Sequence, residues 1–398
     1  MKMKRFWVGV LVLALLVPLR SALAADPIVI GDVLATTGPY EHYGQEEITI
    51  IPKVIEKINA AGGVLGRPLK YIYQDSEAKP PVARAACERM IKQEKVQVLL
   101  AGSTGADGIY ACAKVADEAK IPFIITTDPT QFLTQRGLQY VFRVSGVTDQ
   151  KTSGYHIDFA EDLFHRKSGL KFAIAQYDTA WAREMTKYAK LVAESRGHKV
   201  VFFSAYDPTA IDLKPMLLNI KGADPDVFLA YSAYKDAELM LRQMKEIGFA
   251  PKALIGTSGW TSPKLEATLG KDVEGLLSFN FWSKDMPYSK DVVAAWRATS
   301  GQDPDHHVAE AYAAIEIIAD AVKRAGTTDG PKLREALTRT NMVTAFGPVQ
   351  FKNWADFKNQ NEYNRIMDQV QNGSRVFVWP SDIAKAKPIF PLLPWDKR

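Results

Sequence analysis

Short apolar runs recur along the chain, separated by longer stretches in which apolar residues return every three or four positions. The runs are rich in β-branched and aromatic residues and predict strands at 28–34, 69–73, 96–101, 123–126, 172–176, 199–204, 227–231 and 253–256. In the first intervening stretch, Ile48, Ile51, Ile55 and Ile58 form one apolar stripe, as on an amphipathic helix. Pro52 lies inside that pattern and removes a backbone donor, at a cost of about 3 kcal/mol in a straight helix, which predicts a kink or a late helix start. Strands alternating with helices imply parallel sheets with crossover helices on both faces. Three runs break the alternation, at 140–148, 276–282 and 346–351, and read as passages between two α/β blocks.

The first residues combine a basic start, an apolar run and the small-residue ending Ala22-Leu23-Ala24. This is the layout of a secretory leader spanning 1–24, and the run is shorter than the roughly 20 residues that span a bilayer. No cysteine adjoins the cleavage point, so a soluble, exported protein is expected, without membrane insertion once the leader is cleaved. Cleavage would take Lys2, Lys4, Arg5 and Arg20 from the 50 basic residues, leaving 46 against 45 acidic ones. With that near-neutral balance and no basic stripe, a nucleic-acid partner is not expected. The remaining length exceeds what one hydrophobic core usually supports, so two domains are expected. Cys87 and Cys112 fall in segments that read as neighbouring helices, and either a disulfide or two buried thiols fits the sequence.

Catalytic patterns fail in turn. Gly102-Ser-Thr-Gly-Ala-Asp-Gly108 has neither a dinucleotide-binding order nor a phosphate-loop ending, and Trp260 stands where a nucleophile elbow needs glycine. The one close histidine pair, His306-His307, is adjacent in sequence, so its rings diverge on a helix. A solvated helix entrance beside Asp303 and Asp305 is expected there rather than a metal clamp. No enzyme activity and no cofactor are expected.

What remains is a series of strand-end loops rich in Thr, Ser, Gly and aromatics: 36–40, 102–107, 126–130, 177–181, 231–234 and 257–260. Ligands of open parallel sheets bind beyond the carboxyl ends of the strands, where such loops gather. The turn Thr36-Thr-Gly-Pro39, between a strand and a helix, is expected to hold an anionic group.

These residues resemble the extracytoplasmic solute-binding proteins of branched-chain amino-acid type ABC importers. The likeness rests on Thr37-Gly-Pro39, Tyr43-Gly44, Asn59-Ala-Ala-Gly-Gly63, Gly66-Arg-Pro-Leu69, Asp75, Pro122, Val141-Phe-Arg143, Leu241 to Gly248 and Phe346-Gly-Pro-Val-Gln-Phe351, and it covers nearly the whole mature chain. It implies a type I periplasmic-binding fold, two Rossmann-like α/β lobes with parallel sheets joined by three crossover strands. The N-terminal lobe would comprise 26–146 and 282–350, and the C-terminal lobe 147–281 and 351–390. A small carboxylate would bind between the lobes and be delivered to a membrane permease and its ATPase, by a periplasmic monomer. A sensor acting through a receptor partner is the alternative use of such a fold.

The resemblance also implies a site: Tyr40, Tyr43, Ser103, Thr104, Ala106, Thr127, Asp128, Trp181, Tyr231 and Ser258. Ala106 stands where amino-acid-binding members place a serine on the ligand carboxylate, and Pro129 where they offer a threonine. Ser258 stands where they place the acid that pairs with the ligand ammonium. Breaking such a buried pair costs roughly 3–5 kcal/mol. An organic or aromatic acid is therefore the preferred ligand, with Trp260 as a further wall. A branched-chain amino acid is the alternative, with Asp128 or Asp107 replacing the missing acid.

Overall fold

The computed structural model describes residues 25–128, 130–145, 149–362 and 366–398, without the side chains of 149, 150 and 258. The expected leader, 1–24, and Pro129 lie outside the described residues.

The chain opens with four β/α steps and a fifth strand. They are β1 (Ile28–Leu34), α1 (Glu41–Ala60), β2 (Leu69–Asp75), α2 (Pro80–Lys92), β3 (Val98–Ala101), α3 (Ala106–Glu118), β4 (Phe123–Ile125), α4 (Phe132–Gln135) and β5 (Val141–Arg143). A second block follows with α5 (Asp149–Phe164), β6 (Lys171–Tyr177), α6 (Ala180–Ser195), β7 (Lys199–Tyr206), α7 (Lys214–Gly222), β8 (Val227–Ser232), α8 (Tyr234–Glu246), β9 (Ala253–Ser258), α9 (Lys264–Leu269) and β10 (Leu277–Asn280). The remainder comprises α10 (Lys290–Ser300), α11 (His306–Ala325), α12 (Gly330–Thr338), β11 (Asn341–Thr344), β12 (Gly347–Gln350), β13 (Lys352–Trp354), β14 (Phe357–Gln360), β15 (Ile366–Gln371) and β16 (Ser374–Trp379).

Two seven-stranded sheets result, ordered β13-β14-β5-β4-β3-β1-β2 and β16-β15-β10-β9-β8-β6-β7. Strands β1 to β5 pair in parallel, as do β6 to β10, because each is followed by a helix that returns the chain to the same edge. β13 and β15–β16 add antiparallel pairs. Each sheet is a lobe of a type I periplasmic-binding fold, and the chain passes between them after β5, after β10 and after β14.

The third passage differs from the expected one. Phe346-Gly-Pro-Val-Gln350 belongs to the β11–β12 hairpin, and β14 pairs with β5 in the first sheet, so the crossing comes after Gln360 rather than at 346–351. The first and third passages are stitched together: Arg143 Nε donates to Gln360 Oε1 at 2.5 Å, and Asn361 Nδ2 to the Val144 carbonyl at 3.0 Å.

Of the kink or late start expected at Pro52, the late start does not occur, because α1 runs from Glu41 through Pro52 to Ala60. Its first two turns bury His42, Tyr43, Gly44, Glu46 and Glu47, contacts that hold the helix despite the missing donor. Gly44 permits this packing, since a Cβ there would lie 2.0 Å from the Ala35 carbonyl oxygen. That close approach brings Tyr40 and Tyr43 to the mouth between the lobes. Cys87 on α2 and Cys112 on α3 form a disulfide with their Cα atoms 5.6 Å apart. Among the described residues, no helix is long and apolar enough to cross a membrane.

Candidate functional site

A cavity of about 270 Å³ lies between the lobes. The first lobe lines it with Tyr40 and Tyr43 at the start of α1, Gly102 to Gly108 after β3, and Thr127, Asp128 and Ser145 after β4 and β5. The second lobe contributes Thr152, Tyr177 to Trp181, Arg183, Met185 and Thr257. Phe281, on the second passage, and His306 and His307, at the head of α11, close the base.

Two long helices from opposite lobes begin at this cavity. α3 starts at Ala106, after Gly105, and no side chain caps it; α6 starts at Ala180, capped by Thr179, whose hydroxyl accepts from Ala182 N at 3.3 Å. The backbone N–H groups and dipole ends of both helices therefore favour negative charge in the same space. Gly105 makes the approach possible: its φ is +78°, and a Cβ there would sit 2.9 Å from the Tyr40 ring.

The walls are aromatic. Tyr177 and Trp181 lie 5.8 Å apart between ring centroids at 60°, and the Tyr40 hydroxyl faces Tyr177 and Thr179 across the cleft. Burial raises the Tyr40 and Tyr177 hydroxyls well above their ordinary range, so both stay protonated. Trp181 Nε1 and Thr152 Oγ1 are buried without a hydrogen-bond partner among the described residues. Leaving such groups unmatched costs roughly 1–3 kcal/mol each, which a ligand acceptor would recover.

Asp128 is the buried acid of the site. Burial pushes its pKa up to about 6, against the hydrogen bonds from Thr130 and the charge of Arg143. Its Oδ1 accepts from Thr130 N at 2.8 Å. Arg183 donates to Asp178 at 2.6 Å, so the guanidinium at the rim already has an anion.

Of the residues expected from sequence, the cavity brings together Tyr40, Tyr43, Ser103, Thr104, Ala106, Thr127, Asp128 and Trp181. Thr104 points partly away, its hydroxyl donating to Ser76 Oγ at 2.5 Å. Tyr231 does not line the cavity. It is 1% exposed, stands behind Trp181 with ring centroids 6.1 Å apart, and holds His156 Nδ1 at 2.8 Å through its hydroxyl. Trp260 is likewise a core residue, with its Nε1 donating to Ser232 Oγ at 2.6 Å. The side chain of Ser258 lies outside the described residues, while its neighbour Thr257 reaches the cavity.

The turn 36–39 holds an anion from its own chain. Asp75, at the end of β2, accepts from Thr36 N at 3.0 Å and from Thr37 Oγ1 at 2.7 Å. The turn is therefore occupied and exposed, and only Tyr40 and Tyr43 carry this segment into the cleft.

The histidine pair is a further correction, because its rings lie 3.9 Å apart between centroids rather than diverging. His306 and His307 are 3% and 5% exposed rather than solvated, because Thr261 and Phe281 cover the head of α11. Asp305 caps that helix, accepting from His307 N at 2.9 Å and Val308 N at 3.3 Å. Thr152, Met185 and Phe281 carried no motif that would single them out, since two lie within helices and one within a passage.

Fold and cleft together define a two-lobed receptor that encloses a small solute. The chain belongs to the periplasmic binding protein family, whose model matches residues 27–371. It is 25% identical over 385 residues to Leu/Ile/Val-binding protein homolog 7 of Brucella melitensis, covering 92% of this chain and 94% of that one. Among solved structures it superposes, with a TM-score of 0.78, on the branched-chain amino acid transporter substrate binding protein LivJ of Streptococcus pneumoniae in complex with isoleucine; identity is 19%, covering 88% of this chain and 97% of that one. A TM-score of 0.78 also relates it to a solute binding protein of an ABC transporter from Rhodopseudomonas palustris BisB5 in complex with 3,4-dihydroxy benzoic acid; identity is 22%, covering 92% and 98%. The family is one of solute-binding proteins of ABC transporters, not of enzymes.

Proposed function

We propose that this chain is the exported, periplasmic substrate-binding component of an ABC importer, and that its solute is a small carboxylate. The observation that carries this reading is the convergence of two helix N-termini, from α3 and α6, on one interlobe cavity. They supply donors and favourable potential for an anion, one from each lobe, so a bound carboxylate links the lobes. A closed form is favoured by a ligand only through contacts it makes there and not in the open form. The ligand body lies among Tyr40, Tyr43, Tyr177 and Trp181, and the cavity of about 270 Å³ suits a compact molecule. The closed receptor then hands its solute to a permease driven by an ATPase.

An organic or aromatic acid without an amino group is the favoured ligand. The solved relative with 3,4-dihydroxy benzoic acid shares the fold and supports that chemistry. A branched-chain amino acid is the second reading, favoured by Asp128, a buried acid on the cavity wall.

Thermal-shift screening of the leader-free protein separates the two. A ligand of the folded state adds about 2.7 kcal/mol at 100 times its dissociation constant. Shifts with benzoate-type or aliphatic acids, and weaker ones with leucine, isoleucine and valine, support the favoured reading. Strong shifts with those amino acids and none with their deaminated counterparts overturn it.

A further inference from the structure

We propose that His42, Glu46 and Asp305 form a binding site for a divalent transition metal, zinc being the best match, at the seam where the first lobe meets the second. None of the three residues lines the solute cavity, which the site adjoins only through His307, and the site does not depend on the solute assigned to that cavity.

His42 and Glu46 are four positions apart on α1 and so face the same way. Asp305 sits at the head of α11, which packs against α1, and one donor atom from each of the three residues lies within 4.8 Å of the others. His42 Nε2 and Glu46 Oε1 are 3.2 Å apart. Ligand atoms about 2.0–2.2 Å from a tetrahedral zinc are separated by roughly 3.3–3.6 Å, so this pair is already spaced as one edge of the polyhedron. Asp305 completes a third vertex by a side-chain shift of about 1 Å, and the fourth is left for water.

Glu46 points to a cation independently of that spacing. It is 4% exposed, and its Oε2 is buried with no hydrogen-bond partner among the described residues. A buried, unmatched carboxylate oxygen is costly, and a cation held by both carboxylate oxygens, Oε1 and Oε2, would meet it. One imidazole and two carboxylates form a donor set that zinc accepts, and with both acids ionised the complex is neutral. Asp305 Oδ1 is committed to capping α11, which leaves Oδ2 as the ligand atom. His307 Nδ1, 3.2 Å from Oδ2, would orient that carboxylate from outside the coordination sphere.

The second lobe supplies two competitors, and the first, Ser262 Oγ, lies 3.1 Å from His42 Nε2 itself, the atom offered to the metal. Lys264 Nζ lies 2.8 Å from His42 Nδ1 and donates to it. A neutral imidazole bound to metal through Nε2 carries its proton on Nδ1, which then has no lone pair for Lys264. Metal binding and the Lys264 contact therefore exclude one another, and zinc would trade a link between the lobes for a link within the first.

The test is calorimetric titration of Zn2+ into tag-free, leader-free protein stripped with a chelator. One saturable equivalent is expected, weakened about tenfold or more by Glu46→Gln and by His42→Gln, and strengthened by Lys264→Met. No saturable uptake by the wild-type protein, or uptake unchanged by both Glu46→Gln and His42→Gln, overturns the site. Co2+ added to the wild-type chain gives a check that needs no variant: a four- or five-coordinate visible spectrum supports the site, and the spectrum of the aqueous ion overturns it.

Discussion

His42 Nε2 lies 3.1 Å from Ser262 Oγ, although the two residues are 220 positions apart and belong to different lobes. The contact stands beside two others across the seam, Lys235 to Glu41 at 3.2 Å and Gln131 to Tyr188 at 2.8 Å. Bonds of this kind form only when the lobes meet, so they bear on ligand affinity more than on folding. A buried hydrogen bond contributes about 0.5–1.5 kcal/mol. Ser262→Ala should therefore lower solute affinity about 2- to 10-fold, with little change in the melting temperature of the unliganded protein. Calorimetry beside a thermal melt checks this, and an unchanged affinity would remove the contact from closure.

Trp181 combines a flat wall with a buried donor that has no partner among the described residues. Trp181→Phe keeps most of the ring and removes the N–H, so a loss of about 1 kcal/mol in binding is expected if the ligand accepts from Nε1. Trp181→Ala also removes the wall and should cost more. Equal losses in the two variants would assign the whole contribution to the N–H.

Asp32 on β1 shows how burial couples this lobe to pH. Its Oδ2 accepts from the Tyr71 hydroxyl at 2.8 Å, and Oδ1 is unpartnered among the described residues. Burial raises its pKa from 3.8 to about 7, against the Tyr71 hydrogen bond, which lowers it. The folded state therefore holds this proton more tightly than the unfolded chain. Its contribution is fully present below pH 4 and is lost as pH rises through 7. Asp32→Asn keeps an acceptor for Tyr71 and cannot ionise, so its stability relative to wild type should improve between pH 4 and pH 8, by on the order of 2–4 kcal/mol. Denaturant unfolding at the two pH values measures the difference, and a constant difference would contradict the assignment.

The disulfide between Cys87 and Cys112 closes a loop with a sequence separation of 25. Loop closure of this size limits the unfolded chain and stabilises the fold by about 3 kcal/mol. Reduction should lower the melting temperature, and the Cys87→Ala, Cys112→Ala protein should melt at the same lower temperature with or without reductant. Insensitivity of the wild-type protein to reductant would count against the bridge.

Much of the architecture was legible in sequence because buried parallel strands are apolar on both faces. β1 runs over 28–34 as the periodicity predicts, and β6 to β9 lie within one or two residues of their expected bounds. The third passage was misplaced because the β11–β12 and β13–β14 hairpins follow one another directly, and an apolar run such as 346–351 does not say which sheet its residues join. In the site, loops named by composition supplied most of the walls. Composition does not say which way a strand-end side chain points, so Tyr231 and Trp260 were expected in the cavity and belong to the core. The turn at 36–39 has the local chemistry of an anion site, but Asp75, from the neighbouring strand, fills it. His306 and His307 read as solvated because no local pattern reveals that Phe281 and Thr261 cover them.

The most direct test is calorimetric titration of the leader-free protein with the small carboxylate that shifts its melting temperature most, repeated with Trp181→Ala. The interlobe site predicts one saturable equivalent for the wild-type chain and an affinity at least about tenfold lower for the variant, a difference of about 1.4 kcal/mol. Failure of every carboxylate and amino acid to bind, or equal affinity in the two proteins, would contradict it.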